Sequence, residues 1–277
     1  MRIGLISDTH MPERWPSLWD AVFRVFDGVD LVLHAGDVGE LWVLDRLGTV
    51  APTLAVHGND ESPEAQAALP YQLVVMASGT RLFLCHSHRR NREEELAARA
   101  GDAWEPKLAP LAAQAREHGA EVYVFGHLHI PCSRRVDGVL LVNPGAIASA
   151  SYFTRQTVQS VAVLNLEQGI EPQVFHHRVD GPGNVPVAVW EEGFAAAMSK
   201  VSEVIATAEV REAWRIASTE RLPMAEVLAE LIPELSRRRW AGDDSLIDPN
   251  DVLREAERRG VAADAVKSLA DIFARAS

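Results

Sequence analysis

Short apolar runs alternate with helix-patterned stretches through the first half of the chain. RIGLIS (2–7), LVLHAG (31–36), TLAVHG (53–58), RLFLC (81–85) and EVYVFG (121–126) each read as a buried strand. Between them, Pro16 to Phe26 places Leu18, Val22, Val25 and Phe26 on one helical face. Glu40 to Leu47 and Pro106 to His118 also look helical, and the latter closes at Gly119 as a C-cap would. Strand-helix alternation predicts right-handed crossovers and a largely parallel sheet up to about residue 130. After His129 the pattern changes. CSRRV (132–136), VLLVN (139–143), SVAVLNL (160–166) and QVFHHRV (173–179) read as strands with short connections, and Asp137-Gly138 is a hairpin signal. This half is expected to form an antiparallel sheet packed beside the first.

Asp180 to Pro186 (DGPGNVP) has the composition of a linker. Beyond it the chain reads as helical. Asp248 is placed as an N-cap with Pro249 at the first helical position, and that helix closes at Gly260. Val227, Leu228, Leu231, Ile232 and Leu235 form one apolar stripe; Val266, Leu269, Ala270 and Phe273 form another. The expected organisation is a domain over residues 1–180 and a helical extension over 187–277. The extension is a candidate surface for homo-oligomer contact, and it holds no catalytic constellation.

The chemistry lies where the first five runs stop. Each ends in a residue that can bind a metal: Asp8-Thr9-His10, Asp37, Asn59, His86 and His127-Leu128-His129. In an open α/β sheet, ligands sit beyond the carboxyl ends of the strands. The expectation is therefore a ligand set along one edge of one sheet. Asp8 and His10 lie two apart, as do His127 and His129, so each pair can turn toward one point. Gly36 and Gly58 precede Asp37 and Asn59 and let the backbone tighten there. Any one of these pairs is commonplace. Five in chain order call for a shared explanation.

Bulk properties narrow the setting. The 277 residues carry a net charge of -12, with 47% hydrophobic and 24% charged residues. That is an ordinary globular composition, and its acidity argues against a nucleic-acid groove or an anionic membrane as main partner. A small phosphorylated substrate stays open, because a local metal site can override the global field. Cys85 and Cys132 form no disulfide framework and fit a reducing compartment. Cys85 reads as a small buried apolar residue. No stretch approaches the roughly 20 apolar residues of a membrane helix, and MRIGLISDTH does not read as a signal peptide. The expected location is cytoplasmic.

Taken together, Asp8-x-His10, Gly36-Asp37, Gly58-Asn59, His86 and Gly126-His127-x-His129 resemble the calcineurin-like metallophosphoesterases. The chain is similar to their small bacterial and archaeal phosphodiesterase branch, which shares its fold with the retromer subunit; Gly138 to Gly145 (GVLLVNPG) also resembles that branch. The resemblance covers roughly residues 1–180. It implies an α/β fold, a layered β-sandwich flanked by helices, with the helical extension outside it. It implies two divalent transition-metal ions. Asp8, His10 and His129 would hold the first; Asn59, His86 and His127 would hold the second; Asp37 would bridge them. Imidazole, carboxylate and amide oxygen donors suit Mn, with Ni, Zn, Fe or Co as alternatives. A hydroxide held between the metals would attack the phosphorus, with Asp37, His10, Asn59 and His127 at the catalytic centre. The implied activity is phosphoester hydrolysis, most readily of diesters; the alternative on the same fold is a non-catalytic scaffold.

One departure stands out. Many relatives carry His directly after the Asn, but here Asp60 follows Asn59, in Gly58-Asn59-Asp60-Glu61. Protonation of the leaving group then needs another source, or a leaving group that needs none. His34 and His88 are candidate substitutes, with supporting roles weighed ahead of acid roles. Arg89, Arg90 and Arg92 follow the fourth strand and are candidates for a second phosphate contact, against a solvated helix start balanced by Glu93, Glu94 and Glu95. Asp60, His88 and Arg89 are thus the candidate substrate contacts. Arg237, Arg238 and Arg239 read as surface charge.

Overall fold

A computed structural model describes residues 1–89, 91–99 and 101–276. Arg90 and the side chain of Arg92 lie outside the described residues. In chain order the elements are β1 (Arg2–Ile6), α1 (Asp20–Val25), β2 (Leu31–His34), α2 (Trp42–Gly48), β3 (Thr53–Ala55), α3 (Pro63–Ala68), β4 (Gln72–Ala77), β5 (Thr80–Cys85), α4 (Arg92–Arg99) and α5 (Glu105–Glu117). There follow β6 (Val122–Val124), β7 (Cys132–Val136), β8 (Val139–Asn143), β9 (Thr154–Gln156), β10 (Ser160–Asn165), β11 (Gln173–Arg178), a 3-10 turn (Trp190–Glu192), α6 (Phe194–Ser199), β12 (Ser202–Val204), α7 (Ala208–Thr219), α8 (Met224–Trp240), α9 (Pro249–Arg258) and α10 (Ala263–Ala276). The chain divides into two compact units, residues 1–150 with 156–202, and residues 151–155 with 203–277.

The first unit holds two five-stranded sheets, ordered β11-β10-β1-β2-β3 and β4-β5-β6-β8-β7. This corrects the expected division into one parallel and one antiparallel sheet. In the first sheet β1, β2 and β3 run parallel and β10 and β11 join antiparallel on one side; in the second β5, β6 and β8 form a parallel centre with antiparallel strands at both edges. β1 pairs parallel with β2 (Ile3 opposite Leu31) and antiparallel with β10 (Ile3 opposite Leu164). β6 pairs parallel with both β5 and β8, while β4 and β7 run antiparallel on the flanks. The ligand-bearing strand ends therefore come from both sheets, not from one edge of one sheet.

Side-chain alternation explains the layers. Ile3, Leu5, Leu31 and Leu33 of one sheet meet Leu82, Leu84, Val122 and Val124 of the other in a shared core. The intervening residues face outward. Ile6 and Val32 pack with Val22 and Phe26 from α1 and its cap and with Val43 and Leu47 of α2. Phe83, Cys85 and Tyr123 pack against Leu108, Leu111 and Ala112 of α5. The result is helix, sheet, sheet, helix.

That second helical layer extends past the expected boundary. Ala188, Ala197 and Val201 are buried in the same cluster as α5, and the Trp190 ring stacks edge-on with Trp104 at 4.6 Å. Residues 187–202 therefore belong to the first unit. The Gly- and Pro-rich stretch before them reads as a linker by composition, but the packing beyond it decides the boundary.

The second unit buries Val210, Ala213, Leu228, Leu231, Leu235, Val252, Leu269 and Phe273 among its four helices. Thr207 caps α7, and Asp248 with Asp251 forms a reciprocal capping box at α9. Arg239 departs from its expected place on the surface. It is buried, and its guanidinium pairs with Asp243 (3.0 Å) and Asp251 (2.8 Å), which compensates the charge it takes out of water. Ala270 is exposed, and Ile272 fills the core position beside Phe273 instead. Among the described residues, no helix is long and apolar enough to cross a membrane.

A chain ending at Pro186 loses Ala188, Ala197 and Val201 from the α5 core, whereas one ending at Ser202 keeps them. The shorter chain should melt at clearly lower temperature; equal melting temperatures would contradict the assignment of residues 187–202 to the first unit.

Candidate metal centre

Backbone geometry first marks the site. Asp8 (φ 53°), His10 (φ 42°), Asp37 (φ 52°), His127 (φ 69°) and His129 (φ 56°) all adopt the left-handed region. Such conformations cost about 1–3 kcal/mol each for non-glycine residues and persist only where surroundings impose them. Here the two sheets impose them. The Asp8 N–H donates to the Gly36 carbonyl (3.0 Å) and the His10 N–H to the Asp37 carbonyl (2.9 Å), which ties the β1 and β2 exits together. The His127 N–H reaches both Asp8 carboxylate oxygens at 3.1 Å, which brings the β6 exit across from the other sheet. Approach this close leaves no room for side chains at two glycines. A Cβ on Gly58 would lie 2.0 Å from Asp37 Oδ1, and one on Gly126 would lie 2.8 Å from Asp8 Oδ2.

Two overlapping donor groups result. Asp8, His10 and His129 bring ligand atoms within 4.8 Å of one another, and so do Asp8, Asp37 and His86. All five residues are buried. The ring orientations are fixed from behind. His86 Nδ1 donates to the Ala35 carbonyl (2.8 Å), and His129 Nδ1 donates to the Ala148 carbonyl (3.0 Å). Both rings thereby turn Nε2 inward, 3.1 Å from Asp37 Oδ2 and 3.1 Å from Asp8 Oδ1 respectively. This is how metal-binding histidines are commonly oriented. His10 Nε2 is buried with no hydrogen-bond partner and lies 3.5 Å from Asp37 Oδ2. A buried orphan nitrogen beside two carboxylates fits a cation between them.

The electrostatics agree. Burial opposes ionisation of Asp8 and Asp37, yet His129 and His86 outweigh it for Asp8, and His86 and His10 for Asp37. Both carboxylates are held well below the usual range. Burial pushes His10 down to about 3, against the pull of Asp37, so its ring is neutral at pH 7. Burial also opposes a charged His86, but Asp37 and Asp8 win and raise it to about 9. The proton on His86 fills the role a metal cation would fill, and metal binding must displace it.

The expected first-metal set, Asp8, His10 and His129, is brought together as a group. The expected second set is brought together in part. His86 and Asp37 converge, and Asp8 is the third donor of that group; Asp37, the expected bridge, lies against both sets, its Oδ2 3.1 Å from His86 Nε2 and 3.5 Å from His10 Nε2. His127 Nε2 instead meets Glu95 Oε1 at 2.6 Å, and Asn59 stands exposed on the wall of the adjoining cavity. Asp60 lines that cavity too. Its N–H donates to Asp37 Oδ1 (2.8 Å), and its carboxylate pairs with Arg14 and lies 3.6 Å from His10 Nδ1. Arg89 lines the cavity, and its N–H donates to Glu95 Oε2 (2.8 Å). His88 lines it as well; burial pushes its pKa down to about 4, with His86 and His127 adding to the effect. His34 is fully buried beneath the site, 3.0 Å from Thr9 Oγ1, away from the cavity lining.

Three supporting residues carry no sequence signal of their own. Glu61 accepts hydrogen bonds from Val38, Gly39 and Gly58 N–H (2.8–3.0 Å), clamping the β2 exit to the β3 exit. Asn143 donates to the Gly126 carbonyl (2.8 Å) and accepts from Gly145 N–H (2.9 Å), bracing the His127 turn. Glu95, on α4, holds His127 as described. Glu61 was legible only as an acidic loop residue after Asn59, and Asn143 only through its place in the resembling GVLLVNPG stretch.

The chain resembles known proteins over its first unit. A family model described as the calcineurin-like phosphoesterase superfamily domain matches residues 1–169. A probable metallophosphoesterase of Methanothermobacter thermautotrophicus is 34% identical over 167 residues, covering 60% of this chain and 87% of that protein. A phosphodiesterase of Methanocaldococcus jannaschii is 24% identical over 182 residues, covering 61% of this chain and 95% of that protein. A Vps29 variant from Entamoeba histolytica is alike in fold, with a TM-score of 0.51 at 22% identity over 65% of this chain and 94% of that one.

The His86 pairing has a sign that can be measured. Its folded pKa of about 9 exceeds the ordinary 6.5, so its contribution is full below 6.5 and is lost as pH rises through 9. Chelator-treated protein should therefore lose melting temperature across that window, and His86→Gln should flatten the decline. Parallel profiles for the two proteins would contradict the assignment.

Proposed function

The chain belongs to the calcineurin-like phosphoesterase superfamily, and we propose that it is a phosphodiesterase acting on a small phosphorylated substrate at a dinuclear centre. Family membership supports metal-dependent hydrolysis of phosphoric esters. The observation that carries the finer reading is the pair of overlapping donor groups, which share the Asp8 carboxylate. One buried carboxylate serving two donor groups suits two cations better than one.

Divalent cations bound there, with Mn the first choice of the donor set, would lower the pKa of water toward 7 and neutralise phosphate charge during displacement. The chain's own groups do the rest. Asp8 and Asp37 supply negative charge, and His10, His86 and His129 would offer ring nitrogens, His86 after giving up its proton. Arg14, Arg89 and Lys107 line the cavity beside them and offer cations to a phosphate in a chain whose net charge is -12. Asp60 stands where many relatives have His, and it is paired with Arg14. His88 is neutral at pH 7. Neither supplies an imidazolium to the departing oxygen, so the reading favours esters whose leaving group departs without a proton.

The test uses bis(p-nitrophenyl) phosphate and a dialkyl phosphate, with added Mn²⁺ or Ni²⁺. The chromogenic diester should be cleaved and the dialkyl ester should not. Asp37→Ala should lower turnover more than about 100-fold, beyond the usual cost of losing a supporting partner alone. Undiminished turnover by that variant would contradict the placement of the reaction at this centre.

A further inference from the structure

We propose that α6 completes the active-site cavity with an apolar wall that receives a flat aromatic group of the substrate. The inference rests on the phosphodiesterase reading and names the substrate class: phosphate esters carrying an aromatic ring.

The cavity has a volume of about 610 Å³. Small-molecule sites run from about 300 to 1,000 Å³, and a phosphate group alone would leave most of such a space unfilled. Part of the lining belongs to the metal centre, through Asp37, His127 and His129. Another part is apolar: Pro110 and Leu111 from α5, Leu128, and Phe194 with Met198 from α6. Phe194 and Met198 stand four apart on α6, so they share one helical face. Both are partly buried, while Ala197 between them turns into the core at 2% exposure. An aromatic ring and a thioether both favour contact with another π-system over an alkyl chain.

The helix is anchored where it starts. The Phe194 N–H donates to the Asp102 carbonyl (2.8 Å), and the Ala195 N–H donates to Asp102 Oδ1 (2.6 Å). Gly193 has φ +88°, and a Cβ there would stand 2.0 Å from Asp102 Oδ2, so the anchor needs glycine. Trp104 packs edge-on against the Phe194 ring at 5.1 Å. The Lys107 ammonium lies 4.7 Å from the centre of the same ring and donates to the Ala98 carbonyl (3.0 Å). It fixes the ring by cation–π attraction and sets a positive charge beside the apolar wall. A ligand that is apolar at one end and anionic at the other fits both features.

α6 lies beyond residue 169, where the family match ends. The metal end of the cavity is thus the shared part, and the α6 wall is an addition within the first unit of this chain.

Equilibrium binding to the Mn²⁺-loaded full-length protein tests the proposal, with phenyl phosphate, adenosine 5′-monophosphate and methyl phosphate as probes in calorimetry. Phenyl phosphate should bind about tenfold more tightly than methyl phosphate, the gain expected from burying roughly 50 Å² of apolar surface. Met198→Ala and Phe194→Leu should each shrink that ratio and leave methyl phosphate affinity unchanged, with melting temperature confirming the fold. If the nucleotide shares the advantage, the ring is that of a nucleoside; if phenyl phosphate alone gains, it is a small aryl ester; both support the wall. A ratio near one in the unaltered protein, or a ratio untouched by both substitutions, overturns it. Binding is read without turnover. An intact ratio without diester hydrolysis would defeat the proposed activity and spare the wall, and hydrolysis with a ratio near one would do the reverse.

Discussion

Two buried carboxylates, Asp8 and Asp37, set the terms for the rest of the first unit. Ionised groups in a protein interior cost several kcal/mol each unless charge and hydrogen bonds compensate them. The compensation is drawn from every neighbouring strand exit. His127 and Asp60 give backbone N–H groups, and His86, His10 and His129 give rings. His86 is drawn so strongly that it holds a proton far above its ordinary range. A cation relieves the same repulsion more completely, because its charge can be shared by both carboxylates at once. The site is therefore an electrostatic arrangement before it is a catalytic one.

Holding that arrangement requires a rigid frame. Asp8, His10, Asp37, His127 and His129 sit in left-handed backbone, which the surrounding structure must impose. Glu61 and Asn143 act on the backbone rather than on any ligand. Glu61 satisfies three N–H groups of the β2 and β3 exits, and its pKa is raised by burial against the pull of those bonds. The exits can thus approach to the point where only glycine fits at 58 and 126. Strain at the turns is offset by the two packed sheets beneath them.

Much of this was legible in the sequence, for a physical reason. A buried strand announces itself as an apolar run, and a ligand must follow where the run stops. Asp8, His10, Asp37, His86 and His129, whose donor atoms the structure brings together, were picked out that way. Which strands pair was not legible, because β10 reaches β1 across more than a hundred residues and no local pattern encodes that contact. The division into one parallel and one antiparallel sheet failed on this account. Glu95 and Glu61 were hidden because a single carboxylate in a polar stretch looks solvated until the fold buries it. The boundary near residue 186 misled in the same way: Gly and Pro mark a bend, while Ala197, Val201 and Trp190 show where the core continues.

The scaffold alternative draws on likeness of fold. The direct measurement is anomalous scattering from crystals grown with Mn²⁺. The account predicts two peaks that share Asp8 as a neighbour, one against His10 and His129 and the other against Asp37 and His86. A single peak, or peaks away from these side chains, would contradict it.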